Sequence, residues 1–244
     1  MKRIDINSPA KINLDLKIFE KNDHGYHNIE TSFQYIDLFD HMTFEVSERG
    51  ISIQSNKSFL ENKDNTIYKS AKSLIHLTNS KKGINITIEK NIPVGAGLGG
   101  GSSNAASTII ALNKLWGLDL TKNKLMDIAK EIGADVPFFI HGENAYGSGI
   151  GDKLKSKLPT KDKILLIYPK INNSSSEMYH LLDIQRGDNI EKSHHKQNDF
   201  WNVFLDKNNE INEFYELISP EYNINLSGSG SCMFILYKKD NEIK

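Results

Sequence analysis

Apolar residues recur at every second position through much of the first half of the chain. "IDINSPAKINLDLKIFE" alternates apolar and polar residues on both sides of Pro9, as two short half-buried strands meeting at a bend do. "ETSFQYIDLFDHMTFEVSE" alternates through Phe33, Tyr35 and Ile36 and then Met42, Phe44 and Val46, and "GINITIEK" sets Ile84, Ile86 and Ile88 on one face. The first half is therefore expected to be rich in antiparallel sheet. Elsewhere the period is helical. "NTIYKSAKSLIHLTN" spaces Ile67, Ala71, Leu74 and Ile75 along one face, and "SSNAASTIIALNKLWG" does the same with Ala105, Ile109, Leu112 and Trp116 before Gly117 stops it. "TKNKLMDIAKEIG" is a third helix, opened by Thr121 and closed by Gly133.

Strands and helices are mixed without strict alternation, so the fold class is α+β rather than a doubly wound sheet. After "YGSGIGDKL" the texture changes. "KILLIYPK" reads as a buried strand, a polar stretch from "INNSSSEMYHLLDIQRGDNIEKSHHKQND" follows, and "NLSGSGSCMFILYKK" reads as a glycine turn leading into a strand. A domain boundary is expected near residue 155, giving domains 1–155 and 156–244.

Composition narrows the class. The 244 residues are 38% hydrophobic and 25% charged with a formal net charge of -1, which excludes disorder and offers no broad basic face to a nucleic acid. No apolar run approaches the roughly 20 residues of a membrane span, and "MKRIDINSPAK" lacks the apolar core of a signal peptide, so a cytoplasmic protein is expected. Cys232, the only cysteine, sits in the apolar run "SCMFILY" and reads as a small buried hydrophobe. The eight histidines show no metal-binding spacing, and His194 and His195 fall in a polar tract expected to face solvent.

One run demands a chemical explanation. "PVGAGLGGGSSNAAS", Pro93 to Ser107, concentrates glycines and then turns into an alanine-rich helix. Gly95, Gly97 and Gly100 satisfy G-x-G-x-x-G, but the strand before them is half polar, Pro93 intervenes and Asp119 follows a helix, so a dinucleotide fingerprint fits badly. A Walker A loop fails because no Gly-Lys-Ser/Thr closes the run. A linker is not usually followed at once by Ser-Ser-Asn, which reads as an N-cap for a helix beginning near Ser103. What remains is an anion cradle, with bare N–H groups converging on a phosphate at a helix N-terminus. Ser102 and Ser103 offer hydroxyls to a phosphate oxygen or Mg²⁺, or cap the helix.

The run resembles the P-x-x-x-G-L-G-[GS]-[GS]-S-[SA]-x-A-A phosphate loop of the GHMP small-molecule kinases. "SPAKINLDLKI", "GYHNIETSFQYIDLFD", "GADVPFFIHGENAYGSGIGDKL" and "NLSGSGSCMF" resemble, in the same order, segments of that family's branch acting on a cytidine diphosphate sugar alcohol. The likeness spans about residues 8 to 236. It implies a two-domain GHMP kinase fold, with an N-terminal domain similar to ribosomal protein S5 domain 2 and a ferredoxin-like C-terminal domain whose sheet is smaller than usual. It further implies phosphoryl transfer from ATP with Mg²⁺ to a small-molecule hydroxyl, in the non-mevalonate route to isoprenoid precursors, by a monomer or homodimer without nucleic-acid or membrane partners.

The resemblance assigns residues to roles. Asp135 in "GADVPFF" matches the carboxylate beside the accepting hydroxyl, and Lys11 matches the cation paired with it. Pro93, Val94, Gly95, Ala96, Gly97, Leu98, Gly99, Gly100, Gly101, Ser102 and Ser103 form the phosphate loop, with Asn65 and Lys90 lining the nucleotide pocket on its adenine side. Asn13 matches a substrate-positioning residue. Tyr26 and His27 match a cytidine site in which a ring stacks on the pyrimidine and His27 reads its edge; Tyr179 aligns with the second aromatic and Ser175 with a neighbouring hydroxyl. Gly228, Ser229 and Gly230 match a loop that packs against the phosphate loop. Without the resemblance these residues read otherwise: Lys11 as a snorkelling surface cation, Asp135 as a turn aspartate, Asn65 as a helix cap, Lys90 as a solvated strand end. A GHMP kinase for homoserine or mevalonate, or a silent ligand-binding relative, is the alternative.

Overall fold

Pro9 does not end its strand. In the computed structural model, which describes residues 2–78, 80–187 and 197–238, β1 runs unbroken through Arg3–Lys21, where two strands and a bend were expected. Proline's fixed φ lies within the extended region and only one donor is lost, so the strand passes through. His194 and His195 lie outside the described residues.

The three helices expected from the periodicity, and the strand of Ile84, Ile86 and Ile88, appear among the remaining elements. β2 (His27–Ser47), β3 (Ile51–Ser55), α1 (Thr66–Thr78), β4 (Gly83–Glu89), α2 (Gly100–Trp116), α3 (Lys122–Ile132) and α4 (Val136–His141) make up the first part of the chain. β5 (Ala145–Ser148), β6 (Lys153–Ser156), β7 (Lys163–Ile167), α5 (Ser175–Arg186), α6 (Trp201–Lys207), α7 (Asn209–Ile218), β8 (Ile224–Leu226) and β9 (Met233–Tyr237) complete it. The chain divides into two compact units. The first gathers the residues up to Ala10 with Tyr35–Pro93 and Gly99–Glu143; the second gathers Lys11–Gln34, Val94–Leu98 and the residues from Asn144 onward.

In the first unit, β4 pairs antiparallel with the end of β2, from His41 opposite Glu89 to Ser47 opposite Gly83, and β3 pairs parallel with β4. Ile84, Ile86 and Ile88 are buried while Asn85, Thr87 and Glu89 are exposed, the two-residue period expected of a half-buried strand. α2 packs against α1, α3 and α4. It is buried along most of its length because Ala105, Ala106 and Ala111 let neighbours approach, while Ile109 and Leu112 fill the space between them. Gly117 ends it in the left-handed region, and the Thr121 side chain accepts from the Lys124 N–H to open α3.

In the second unit, β5 pairs antiparallel with the start of β2 and β6 with β5. A separate antiparallel sheet has the order β7-β9-β8. β7, expected to be buried, is only half-buried because it is an edge strand. The core here joins Leu16 and Ile18 to Met178, Leu182, Phe200, Phe204, Leu226 and Met233. α5 occupies ground that reads as polar in sequence. Ser174 caps it, Met178 and Leu182 supply an i, i+4 apolar pair, and the next inward position is Arg186, whose guanidinium lies 2.9 Å from Asp199 and donates to the Ile18 carbonyl at 2.7 Å. Burying Met178 and Leu182 is worth about 1.5–3 kcal/mol each; Arg186 is tolerated inside because it is paired.

Candidate active site

The glycine loop shows its purpose through its carbonyls. Gly95 O accepts from Asn173 N at 2.8 Å, Ala96 O from Cys232 N at 3.0 Å, Leu98 O from Lys11 N at 3.0 Å and Gly99 O from Ser103 N at 2.9 Å. Gly97 O accepts from Lys11 Nζ and from Ser227 Oγ, each at 3.0 Å. Every carbonyl from Gly95 to Gly99 is thus engaged by a protein donor, whereas the N–H groups of these residues donate to no protein acceptor among the described residues. A peptide whose oxygens are tied down and whose N–H groups are unspent attracts anions and has nothing to repel them. Ala96 and Leu98 are buried and anchor the loop. Gly97 has φ +73°, and a Cβ there would sit 2.0 Å from the Ser227 carbonyl oxygen, so only glycine permits this approach.

α2 begins earlier than expected. Its cap is Gly99, in the left-handed region and without a side-chain bond, and its first residue is Gly100 rather than a residue near Ser103. Ser102 and Ser103 therefore lie inside the first turn and cap nothing. Ser103 is fully buried, its hydroxyl 2.8 Å from Ser8 Oγ, which withdraws it from phosphate or metal. Gly100, Gly101 and Ser102 keep the N–H groups that helix geometry leaves without intrahelical partners, and the macrodipole adds partial positive charge there.

Beneath this turn lies a buried polar cluster that the sequence alone did not single out. Asp40 is completely buried, and its Oδ1 accepts from Asn91 N and Ile92 N at 2.8 Å each. Its Oδ2 accepts from Asn104 Nδ2 at 2.9 Å and from the Lys90 ammonium. Ser8 Oγ receives Asn104 Nδ2 at 3.1 Å and Ser107 Oγ at 3.0 Å. Lys90 is 6% exposed, so it is no solvated strand end. Burial pushes its pKa down, and the carboxylate of Asp40 acts against that push. The only signal in sequence was Asp40 itself, a charge closing the alternation of "QYIDLFD".

On β1, Lys11 and Asn13 are each 3% exposed, which rules out a snorkelling role for Lys11. Its ammonium donates to Asn13 Oδ1 at 2.6 Å as well as to Gly97 O. Asn13 Nδ2 donates to Thr31 Oγ1 at 2.8 Å, and Thr31 Oγ1 donates to the Asp15 carbonyl at 2.6 Å. The Gly228 turn closes on the same place: a Cβ at Gly228 would lie 3.2 Å from both Asn13 Oδ1 and Gly97 O. Asp135, half-buried, caps the start of α4 by position, but its carboxylate makes no capping bond. Pro137 in the first turn fixes that start. Asp135 lies in the first unit and Lys11 in the second.

Of the residues matched to a cytidine site, His27 and Tyr179 are brought together, their rings stacked with centroids 5.1 Å apart and planes 10° apart. Tyr179 also meets Phe200 edge-on at 4.9 Å. His27 Nδ1 is 2.7 Å from the Phe19 carbonyl oxygen, and the buried Nε2 is 3.0 Å from Asp183 Oδ1 without hydrogen-bond alignment. Nδ1 is thus occupied by a backbone carbonyl, while Nε2 is buried beside Asp183 without a hydrogen-bond partner among the described residues. Tyr26 is 62% exposed, its ring open to solvent. Ser175 Oγ pairs with Ser229 Oγ at 2.9 Å. Asn65 uses both ends of its amide locally, accepting from Ile67 N at 2.9 Å and donating to Leu60 O at 2.7 Å, so its side chain caps α1.

Residues 65–143 match the family model described as the GHMP kinases N terminal domain. The chain is 38% identical to the 4-diphosphocytidyl-2-C-methyl-D-erythritol kinase of Francisella philomiragia, over 97% of this chain and 88% of that protein. It is 36% identical to the enzyme of the same name from Aliivibrio salmonicida, over 96% and 84% respectively. A crystal structure of 4-(cytidine 5'-diphospho)-2C-methyl-D-erythritol kinase superposes with a TM-score of 0.77 at 26% identity, covering 98% of this chain and 92% of that one. A homoserine kinase from Cytophaga hutchinsonii, at 16% identity and a TM-score of 0.67, shares the fold. With a carbonyl-anchored glycine loop opening α2 and relatives matched over nearly its whole length, the chain belongs to the 4-diphosphocytidyl-2-C-methyl-D-erythritol kinase family of the GHMP kinases.

Proposed function

We propose that this chain transfers the γ-phosphate of ATP to the 2-hydroxyl of 4-diphosphocytidyl-2-C-methyl-D-erythritol, a step in the synthesis of isoprenoid precursors. The observation that carries this reading is the loop from Gly95 to Gly99, whose carbonyls are all engaged and whose N–H groups are unspent where α2 begins. Such a backbone holds phosphate oxygens without a side-chain ligand.

Phosphoryl transfer needs little covalent work from the protein; positioning and charge neutralisation dominate. The N–H groups of the loop and of Gly100, Gly101 and Ser102 bind the phosphates. Asp135, at an element end, orients the accepting hydroxyl and takes its proton as the bond to phosphorus forms. Lys11 supplies positive charge for the transfer, its flexible stem immobilised by Asn13 and Gly97. Tyr26 offers an exposed ring to the pyrimidine, while His27 orients Tyr179 by stacking. We assign nucleotide binding to residues 1–155 and treat 156–244 as the second domain.

Among the described residues no three His, Cys, Asp or Glu side chains converge as a metal cage. Magnesium commonly keeps its waters and takes only one or two protein ligands, the rest coming from substrate phosphates. The hydroxyl of Ser102, only partly buried, is the group of this chain offered to it. When bound, Mg²⁺ neutralises charge on the β- and γ-phosphates. No helix among the described residues is long and apolar enough to cross a membrane, and we propose a cytoplasmic site of action.

The test is ADP release with Mg²⁺-ATP and the cytidine diphosphate sugar alcohol, with homoserine and mevalonate as controls. Turnover with the cytidine substrate alone is expected. Turnover with a control instead would reassign the substrate while leaving the phosphate loop standing.

A further inference from the structure

Asp40 touches both flanks of the phosphate loop. Its Oδ1 holds the N–H groups of Asn91 and Ile92, the residues that lead into Pro93, and its Oδ2 holds Asn104 in the opening turns of α2. The same Oδ2 holds the Lys90 ammonium. That ammonium abuts the start of the helix: a Cβ at Gly100 would lie 2.7 Å from Lys90 Nζ. An ammonium has three N–H donors, and among the described residues Asp40 is the partner given to Nζ. The other two donors are unspent beside Gly100.

We propose that Asp40 is a positioning residue for the nucleotide, holding the Lys90 ammonium against the first turn of α2 so that it serves the bound polyphosphate. The proposal rests on the reading of this loop as the ATP site. The physical argument is one of polarity. Lys90 and Asp40 together are nearly neutral, but their dipole has its positive end at Gly100, in line with the helix macrodipole. Burial by itself disfavours the charged ammonium, and Asp40 is the group that opposes this. Without Asp40 the side chain either sheds its proton or leaves its position. The two backbone bonds to Asn91 and Ile92 keep the carboxylate from following, so the geometry is fixed at both ends.

The experiment compares ATP and adenosine affinities by calorimetry with Mg²⁺ present, alongside thermal melting, for the full chain and for Lys90→Gln, Asp40→Asn and the double variant. On this proposal the Lys90 ammonium, which abuts Gly100 at the start of α2, meets the phosphates rather than the adenosine. Lys90→Gln and the double variant are therefore expected to bind ATP about 10- to 100-fold more weakly, as for loss of a hydrogen bond to a charged group, with adenosine affinity unchanged. Because Asp40 acts through Lys90, the double variant should be no weaker than Lys90→Gln. Asp40→Asn leaves a buried cation uncompensated and is expected to fold poorly; the double variant, an uncharged amide pair, then decides.

Wild-type ATP affinity in the double variant would overturn the proposal. Equal loss for ATP and adenosine together with a lower melting temperature would reduce Asp40 to a structural role and overturn it too. Additive losses in the double variant would remove Lys90 as the route. A wild-type chain that binds no ATP would overturn the kinase reading itself, an outcome distinct from a wild type that binds and variants that do not differ from it.

Discussion

Lys11 grips the glycine loop at two consecutive peptides, its ammonium donating to the Gly97 carbonyl and its backbone N–H to the Leu98 carbonyl, both at 3.0 Å. One residue thus fixes the loop's shape and carries the candidate catalytic charge. Lys11→Met keeps the stem and the backbone bond but deletes the charge and the contacts with Gly97 O and Asn13. We expect turnover to fall by about 100-fold or more and ATP affinity to fall by less. Steady-state kinetics with a separate ATP titration measure both, and unchanged turnover would remove Lys11 from the chemistry.

Asp135→Asn tests the carboxylate. The amide keeps the shape but cannot take a proton, so turnover should drop by about 100- to 10,000-fold while ATP binding persists. Retained turnover would assign the role elsewhere.

Thr31 decides which way the Asn13 amide faces. Its hydroxyl proton is committed to the Asp15 carbonyl, so Oγ1 accepts from Asn13 Nδ2 and leaves Asn13 Oδ1 facing Lys11. Thr31→Val removes this instruction and leaves a buried amide donor unpaired, at a cost of about 1–3 kcal/mol. A higher KM for the sugar alcohol with unchanged ATP affinity is expected; losses of equal size in both would point to general unfolding.

Gly97 and Gly117 form a matched pair. Both have positive φ, +73° and +64°, but a Cβ at Gly97 would lie 2.0 Å from Ser227 O while one at Gly117 meets nothing within 4 Å. Gly117→Ala should cost about 1 kcal/mol of stability and leave ATP affinity alone. Gly97→Ala should displace the loop and weaken ATP binding more than it lowers the melting temperature. The reverse ranking would show that the loop's close approach is not needed for the nucleotide.

Cys232 is fully buried, and burial pushes its thiol up to about 12. Thiolate is the reactive form, so the folded protein should resist iodoacetamide near neutral pH and be labelled fully in denaturant. The protonated thiol favours the folded state up to the ordinary thiol pKa near 9.0, and this contribution is lost as the pH rises from there towards about 12. Rapid labelling under native conditions would refute the buried placement.

Much of the architecture was legible because local periodicity and capping agree with the fold. The alternation of Ile84, Ile86 and Ile88, the helical spacing of Ile109 and Leu112, and the stops at Gly117 and Gly133 are short-range signals that packing did not overrule. α5 escaped notice because one of its inward positions is Arg186, acceptable inside only through Asp199, thirteen residues further along. Pro9 misled because a strand tolerates a proline where its missing donor is not needed.

The expectation of an anion cradle in "PVGAGLGGGSSNAAS" came from the chain itself, since glycines followed by a helix restrict what the backbone can do. Its execution did not. Which carbonyls are tied down depends on Lys11, Asn173, Ser227 and Cys232, and the diversion of Ser103 to Ser8 and the clasp of Lys90 by Asp40 likewise join residues far apart in sequence. Periodicity reports which face a residue occupies, because that follows from backbone geometry within a few residues. Hydrogen-bond partners across long separations follow from how elements pack, and no local pattern carries that information.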